Sequence, residues 1–170
     1  MSDLADIKLL VFDVDGVLTD GSIYVDDRGV ETKRFHVRDG FAIRAATQFG
    51  LLIGVLTGRS TPTVTLRMSE LGINLVIQGS HNKAVGFEAI CQKAGVLPEQ
   101  AAYVGDDLID LPALLRCGYP IAVADAVEDV RSATRYVTRA KGGNAAAREI
   151  IEHILRGQGK WEQVIEQYRS

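Results

Sequence analysis

The chain has 170 residues, of which 46% are hydrophobic and 24% charged, and its 19 basic and 22 acidic residues give a net charge of −3. This length and composition are typical of one folded domain, because a disordered chain carries fewer apolar residues and a larger net charge. The lack of a basic excess argues against nucleic acid and anionic membrane surfaces as partners, and two cysteines are too few for a disulfide framework.

The apolar pattern alternates between strand-like and helix-like segments. In chain order it predicts strands at 7–12, 51–56, 75–77, 101–104 and 121–123, with helices at about 41–48, 63–70, 83–94, 108–115 and 145–155. The strands are apolar almost throughout, which is typical of a parallel sheet covered on both faces. We therefore expect an α/β fold, a doubly wound Rossmann-like parallel sheet.

Two segments depart from this alternation. Residues 21–35 have strand-like sequence on either side of the turn-like Asp-Asp-Arg-Gly at 26–29, which predicts a β-hairpin inserted after the first strand. The tail from about residue 157 is polar, apart from a small apolar group around Trp161. No linker divides the chain, so we expect a single domain over residues 1–170.

The start of the chain does not resemble a targeting signal. Residues 1–6 are acidic, and the apolar run that follows ends at Asp13, whereas a secretory signal begins with a basic segment. No apolar run approaches the ~20 residues of a membrane span. We therefore expect a cytoplasmic protein with no membrane partner.

Polar residues that could take part in binding or catalysis follow four of the predicted strands. Because ligands bind at the carboxyl ends of strands in open α/β sheets, we expect these residues to meet at one edge. In chain order they are Asp13 and Asp15, then Thr57, Gly58 and Arg59, then Lys83, and finally Asp106, Asp107 and Asp110.

Such a concentration of carboxylates needs positive charge nearby. Like charges a few ångströms apart repel by several kcal/mol at an effective dielectric constant near 20, to order of magnitude. Mg²⁺ prefers oxygen ligands and can offset this repulsion. Lys83 supplies a second positive charge, and Thr57 and the Gly58 amide are neutral donors. Together these groups predict a phosphoryl-transfer site.

The order of the motifs, Asp-x-Asp-Gly-Val, Thr-Gly-Arg, Lys and Gly-Asp-Asp-x-x-Asp, resembles the haloacid dehalogenase-like phosphatases. The resemblance implies that Asp13 is the nucleophile, and that Asp15 is first a general acid and then a general base. Thr57 and Lys83 would hold the phosphoryl group. The implied Mg²⁺ ligands are the Asp13 side chain, the Asp15 backbone carbonyl and Asp106, with Asp107 and Asp110 in supporting roles.

Most members of this family carry a cap domain, but here the intervals between motifs are already filled by the predicted elements. An active site must still exclude bulk water. Either the substrate is large or a neighbouring subunit covers the site, and we expect the second, with the hairpin or the tail reaching across a homo-oligomer.

The segment after the hairpin and several arginines are the expected substrate contacts. Arginine suits a second anionic group such as a carboxylate, because its guanidinium binds carboxylates in a bidentate manner. The expected substrate-binding residues are His36, Val37, Arg38, Asp39, Gly40, Arg44, Gly58, Arg59, Arg67 and Lys83.

The motifs Phe-His-Val-Arg-Asp-Gly and Gly-Gly-x-x-Ala-x-Arg-Glu make the chain similar to capless members of the family that act on sugar-acid phosphates. This resemblance implies a Mg²⁺-dependent cytoplasmic homotetramer that acts on an 8-carbon keto-sugar acid phosphate for lipopolysaccharide synthesis. The chain has Ala145 where these members usually have glycine, so a positive φ there would strain the loop and weaken any lid role for the tail.

Two alternatives stay open. The first is a sibling phosphatase that acts on a 9-carbon sugar-acid phosphate, although Arg59 favours the 8-carbon acid. The second is a receiver-like signalling domain, which also accepts a phosphoryl group on an aspartate. The motif order argues against a receiver, because its acidic pair and its phospho-acceptor lie on different strands. Repeated release of phosphate would distinguish an enzyme from a receiver.

Overall fold

A six-stranded parallel sheet lies at the centre of the computed structural model, which describes residues 3–169. The strand order is β5-β4-β1-β6-β7-β8. The strands are β1 Leu9–Phe12, β2 Tyr24–Val25, β3 Glu31–Thr32, β4 Leu52–Leu56, β5 Leu75–Ile77, β6 Ala101–Gly105, β7 Tyr119–Ala122 and β8 Tyr136–Val137. The helices are α1 Val37–Gln48, α2 Pro62–Leu71, α3 Lys83–Ala94, α4 Leu111–Leu114, α5 Glu128–Ser132, α6 Ala146–Gly157 and α7 Trp161–Gln167.

The central strands are buried on both faces. Every residue of β1 and β6 is buried, and successive side chains of a strand point to opposite faces. Helices therefore cover the sheet on each side, with α1 packed on α2 and α6, and α3 packed on α4. No cap domain is present in the described residues, and the predicted α/β class is confirmed.

The carboxyl end of β1 is the place where a ligand is expected. Strand β1 pairs with β4 on one side and with β6 on the other, all in parallel. The chain moves outward through β4 to β5 and then crosses back to β6, so the direction of winding reverses beside β1. Ligands bind in open α/β sheets at such a reversal.

The predicted elements correspond closely to those observed, with three short ones missed. Strand β8, helix α5 and helix α7 have 2, 5 and 7 residues, too few to show a clear period. The predicted helix at 108–115 is divided into a turn over Leu108–Asp110 and helix α4. The strand predicted at 121–123 begins two residues earlier, at Tyr119.

The inserted hairpin is present and is very short. Strands β2 and β3 are antiparallel, with Tyr24 opposite Thr32 and Val25 opposite Glu31. The turn is held by the Asp26 carboxylate, which accepts hydrogen bonds from the backbone N–H groups of Arg28 and Val30. Several large apolar side chains of this segment are exposed, namely Ile23, Tyr24, Val25 and Val30.

The tail differs from the predicted polar extension. It forms α7, and Trp161 and Val164 on that helix are buried in the core of their own chain. The Tyr168 ring lies 5.1 Å from the Phe41 ring, measured between centroids. The apolar side chains, spaced three and four apart along the helix, account for this packing. Among the described residues no helix has both the length and the apolar character that a membrane span needs.

Candidate active site

Asp13 and a tight turn follow β1. The Asp13 N–H donates to the Val104 carbonyl at 3.1 Å, which fixes the backbone beside β6, and its side chain is buried. Gly16 has a φ of 92°, and a Cβ atom there would lie 2.0 Å from an Asp106 carboxylate oxygen. Glycine at this position therefore permits both the turn and the close approach of Asp106.

Lys83 is the buried cation of the site. It is the first residue of α3, a helix capped by the Asn82 side chain, which accepts from the Val85 N–H. Its ammonium donates to Asp13 Oδ1 at 2.6 Å and to the Leu56 carbonyl at 3.0 Å. Burial by itself would lower the pKa of Lys83, but the charges of Asp13 and Asp110 raise it. Lys83 is therefore positively charged at neutral pH.

Three carboxylates converge beside this lysine. Asp13, Asp106 and Asp110 each offer an oxygen atom, and these atoms lie within 4.8 Å of one another. Burial and the charge of Asp110 raise the pKa of Asp13 to about 7, and the same causes raise the pKa of Asp106 to about 8. One lysine does not balance three acids, of which Asp13 and Asp110 are buried and Asp106 is half-buried, so the cluster favours a further cation. Its all-oxygen donor set suits Mg²⁺.

Asp110 supports this cluster from beneath. It is fully buried and lies 3.1 Å from the Lys83 ammonium. Its second oxygen accepts hydrogen bonds from the backbone N–H groups of Asp106 at 3.0 Å and Asp107 at 3.4 Å. The Asp107 side chain itself is exposed and accepts from the Leu108 N–H at 2.7 Å. Asp13 and Asp106 are thus better placed than Asp110 to hold an ion.

Thr57 and Gly58 follow β4 and form the neighbouring wall of the site. Thr57 is buried, and its hydroxyl oxygen accepts from the Arg59 N–H at 3.3 Å. Its backbone is fixed by two hydrogen bonds, from the Thr57 N–H to Ile77 and from the Ser80 N–H to Thr57. The threonine therefore occupies the predicted edge of the sheet on a rigid backbone.

Lys33 is a functional candidate that the strand-end search missed. Its side chain is only 2% exposed, and it forms ion pairs with Asp15 and with Glu31, the latter at 2.8 Å. Arg59 also contacts Glu31 and lies 4.0 Å from Asp15. Lys33 is at the base of the hairpin, after no central strand, so only the folding of the hairpin over the site reveals it.

The segment after the hairpin has mainly structural contacts within one chain. The His36 ring nitrogen caps α1 by accepting from the Arg38 N–H at 3.2 Å. Asp39 is buried, and it accepts from the Arg148 N–H at 2.7 Å, which caps the start of α6. Burial raises the pKa of Asp39. Val37 is 80% exposed.

Two of the predicted arginines are held by α2. Arg67 forms an ion pair with Glu70 at 3.2 Å, and Arg44 donates to the Glu70 carbonyl at 3.0 Å. Gly40 lies against Arg67, and a Cβ atom at Gly40 would come within 2.6 Å of the guanidinium. Among the predicted arginines, and within residues 3–169, only Arg59 forms an ion pair with a site carboxylate, that of Asp15 at 4.0 Å.

Ala145 has the positive φ that, at a position where similar proteins usually have glycine, was expected to strain the loop. Its φ is 71° and its ψ is 25°, in the left-handed region, directly before α6. The preceding Gly142 packs against the turn after β1, where a Cβ atom would lie 1.7 Å from the Gly16 carbonyl oxygen. The loop at 142–145 therefore packs against the turn that follows β1, and Ala145 in this loop has a strained backbone.

Known proteins share both the sequence and this architecture. Residues 69–150 match the model of the haloacid dehalogenase-like hydrolases. The chain is 43% identical over 163 residues to the 3-deoxy-D-manno-octulosonate 8-phosphate phosphatase KdsC of Escherichia coli BL21-DE3, covering 96% of this chain and 87% of the relative. The chain belongs to the 3-deoxy-D-manno-octulosonate 8-phosphate phosphatase family.

Solved structures of this phosphatase family agree with that assignment. A Moraxella catarrhalis 3-deoxy-D-manno-octulosonate 8-phosphate phosphatase, in complex with magnesium, phosphate and KDO, has a TM-score of 0.94 and 39% identity, covering 97% of this chain and 95% of that one. A cobalt-bound phosphatase from Haemophilus influenzae has a TM-score of 0.91 and 43% identity, covering 94% and 93%. The protein is a haloacid dehalogenase-like phosphatase, and its acidic cluster fits the Mg²⁺ cofactor of this family.

Proposed function

We propose that the protein hydrolyses 3-deoxy-D-manno-octulosonate 8-phosphate to the free sugar acid and inorganic phosphate, a step in lipopolysaccharide precursor synthesis. The observation that carries this proposal is the buried Lys83–Asp13 pair at 2.6 Å, beside Asp106, in a chain 43% identical to phosphatases of that substrate. The pair combines a nucleophilic carboxylate with a fixed cation for the phosphoryl group.

In the first step an Asp13 oxygen attacks the phosphorus atom and the bond from phosphorus to the sugar oxygen breaks. Asp15 gives its proton to the departing alkoxide. Lys83 holds a phosphoryl oxygen and, through its positive charge, opposes the rise in the pKa of Asp13 that burial causes. Bound Mg²⁺, held by Asp13 and Asp106, would neutralise negative charge on the phosphoryl group and the carboxylates.

In the second step water attacks the aspartyl-phosphate, and Asp15 takes the proton of that water. The bond between Asp13 and phosphorus breaks, so Asp13 is regenerated and phosphate leaves. The Thr57 hydroxyl and the Gly58 N–H are further phosphoryl donors in this proposal. Lys33 and Arg59 flank the Asp15 carboxylate and restrict its position.

Arg59 is the residue that we propose binds the carboxylate of the sugar acid. Its guanidinium contacts Glu31 in the structure, so a substrate carboxylate would take the place of the Glu31 side chain. We also propose His36, Val37, Arg38, Asp39, Gly40, Arg44 and Arg67 as substrate-side residues. Since several of them have structural partners within one chain, their contact with substrate requires a second subunit or a rearrangement.

A homo-oligomer, and specifically a tetramer, is part of the same proposal. The hairpin supports it, because Ile23, Tyr24, Val25 and Val30 are between 48% and 58% exposed, and apolar residues grouped in this way often mark an interface. We place the enzyme in the cytoplasm, since a phosphorylated sugar acid is a multiply charged anion that does not cross a bilayer unaided.

The experiment that tests the function is phosphate release from a small panel, with Mg²⁺ and again with EDTA. The panel contains 3-deoxy-D-manno-octulosonate 8-phosphate, a 9-carbon sugar-acid phosphate and a plain hexose phosphate. A strong Mg²⁺-dependent preference for the 8-carbon acid is expected. A preference for the 9-carbon acid would favour the sibling activity, and equal weak rates would contradict the specificity. Release of at most one phosphate per chain would favour a receiver.

A further inference from the structure

Tyr103, the third residue of β6, lies directly beneath the catalytic cluster. Its side chain is fully buried, and the Phe87 ring meets it edge to face with centroids 5.8 Å apart. The Tyr103 hydroxyl oxygen is 3.1 Å from the Lys83 ammonium and 2.7 Å from Asp110 Oδ1. A buried hydroxyl group is costly unless it is hydrogen-bonded. These two contacts supply the hydrogen bonds that the Tyr103 hydroxyl needs in an otherwise apolar strand.

The direction of the two hydrogen bonds follows from the chemistry of the groups. Burial, together with the charge of Asp110, keeps the pKa of Tyr103 well above its usual value, so the hydroxyl is neutral and has one proton to donate. The Tyr103 hydroxyl donates that proton to Asp110 Oδ1, and because an ammonium group can only donate, the Tyr103 oxygen accepts from Lys83. Four oxygen atoms then lie within 3.1 Å of the Lys83 ammonium: Asp13 Oδ1, the Leu56 carbonyl, the Tyr103 hydroxyl and Asp110 Oδ1, the last as an ion pair.

The same hydroxyl reinforces the direct contact, at 3.1 Å, between Lys83 and Asp110, the residue that holds the loop carrying Asp106. Asp110 receives the Tyr103 proton on one oxygen and the backbone N–H groups of Asp106 and Asp107 on the other. A lysine ammonium sits on a flexible four-carbon chain. Its direction therefore depends on its acceptors rather than on its own side chain.

We propose that Tyr103 is a positioning residue, whose hydroxyl directs the Lys83 ammonium towards Asp13 and the phosphoryl group and ties it to the Asp106 loop. This inference rests on the proposed phosphatase function. Tyr103 is fully buried and itself touches no substrate, so its loss should disturb the alignment of Lys83 in the transition state more than the initial binding of substrate.

The test is Tyr103→Phe, which removes the hydroxyl and keeps the ring, with Tyr119→Phe as the matched control. Tyr119 lies on the neighbouring strand β7, and its hydroxyl bonds to His153 at 2.9 Å, away from the cluster. For Tyr103→Phe we expect kcat to fall about tenfold or more, the usual scale for loss of a hydrogen bond to a charged group, while KM changes by less than about threefold. Tyr119→Phe should keep the wild-type kcat.

Assays use the best substrate of the panel, below the melting temperature of each variant, with rates expressed per folded chain. A Tyr103→Phe enzyme with wild-type kcat would overturn the proposal, and so would an equal loss in Tyr119→Phe, which would indicate general loosening of the sheet. A loss confined to KM would also contradict it. A wild-type enzyme without Mg²⁺-dependent turnover would refute the proposed function itself, and this role with it.

Discussion

Replacing Ala145 by glycine should stabilise the protein. Ala145 has a φ of 71° and is the one non-glycine residue with positive φ within residues 3–169. Its Cβ atom is disfavoured there because it crowds the following carbonyl oxygen. The conformation is held from both sides, by α6 after it and, before it, by the contact of Gly142 with the turn after β1. Glycine can adopt this backbone without strain.

The size of the effect comes from two opposed contributions. The left-handed region costs a residue with a Cβ atom roughly 1–2 kcal/mol relative to glycine. Part of this gain is cancelled, since glycine gives the unfolded chain more conformations, an effect of about 0.4–1 kcal/mol. We expect the free energy of unfolding to rise by about 0.5–1 kcal/mol and Tm by about 1–4 °C for a chain of this size.

Urea and thermal unfolding of Ala145→Gly against wild type measure this directly. The matched control is Ala147→Gly, two residues further on, where the backbone is helical and the side chain is fully buried. That variant should lose about 1 kcal/mol or more, because glycine is a poor helix former. If Ala145→Gly were less stable than wild type, the left-handed conformation would not strain the native loop and the reasoning would be wrong.

Two further predictions concern the carboxylate cluster. Asp13→Asn should abolish phosphate release, because it removes the proposed nucleophile. The melting temperature should stay close to that of wild type, because the variant also removes a charge that is costly to bury. Wild-type turnover would exclude the aspartyl-phosphate. The second concerns pH. Since folding raises the pKa of Asp13 to about 7 and that of Asp106 to about 8, the folded state holds protons that the unfolded chain has released. The metal-free protein should therefore lose stability as the pH rises from about 4 to about 8. Mg²⁺ should raise Tm little near the acid end of this range and most near its upper end. Thermal melts with Mg²⁺ or with EDTA measure this difference. An equal increase in Tm at every pH would contradict the linkage between Mg²⁺ binding and deprotonation of Asp13 and Asp106.

The sequence predicted the sheet and the polar residues at its edge because both depend on local information. A strand covered on both faces must be apolar along its whole length, so β1, β4 and β6 are recognisable as short runs. Residues that follow such strands lie at one edge whatever the details of packing. Asp13, Thr57 and Asp106 could therefore be placed near one another without coordinates.

For some of the predicted substrate residues, the sequence could not show which partners their side chains contact. Asp39 caps α6 by binding the N–H of Arg148, a residue 109 positions away. Arg67 and Arg44 are engaged by Glu70. In the sequence each is simply a charged residue near a motif, because helix-to-helix packing decides which partner a long side chain reaches. The buried cation Lys33 was missed for the same reason.

By itself the sequence determined the parallel α/β fold, the position of the hairpin and the acids that meet at the sheet edge, since these follow from apolar periodicity and chain order. Only the tertiary structure decided how those acids are supported. It placed Lys33 beside Asp15, and the Tyr103 hydroxyl in contact with both Lys83 and Asp110. Such contacts join residues from separate elements, and their distances are set by how helices and strands pack, which no local pattern records.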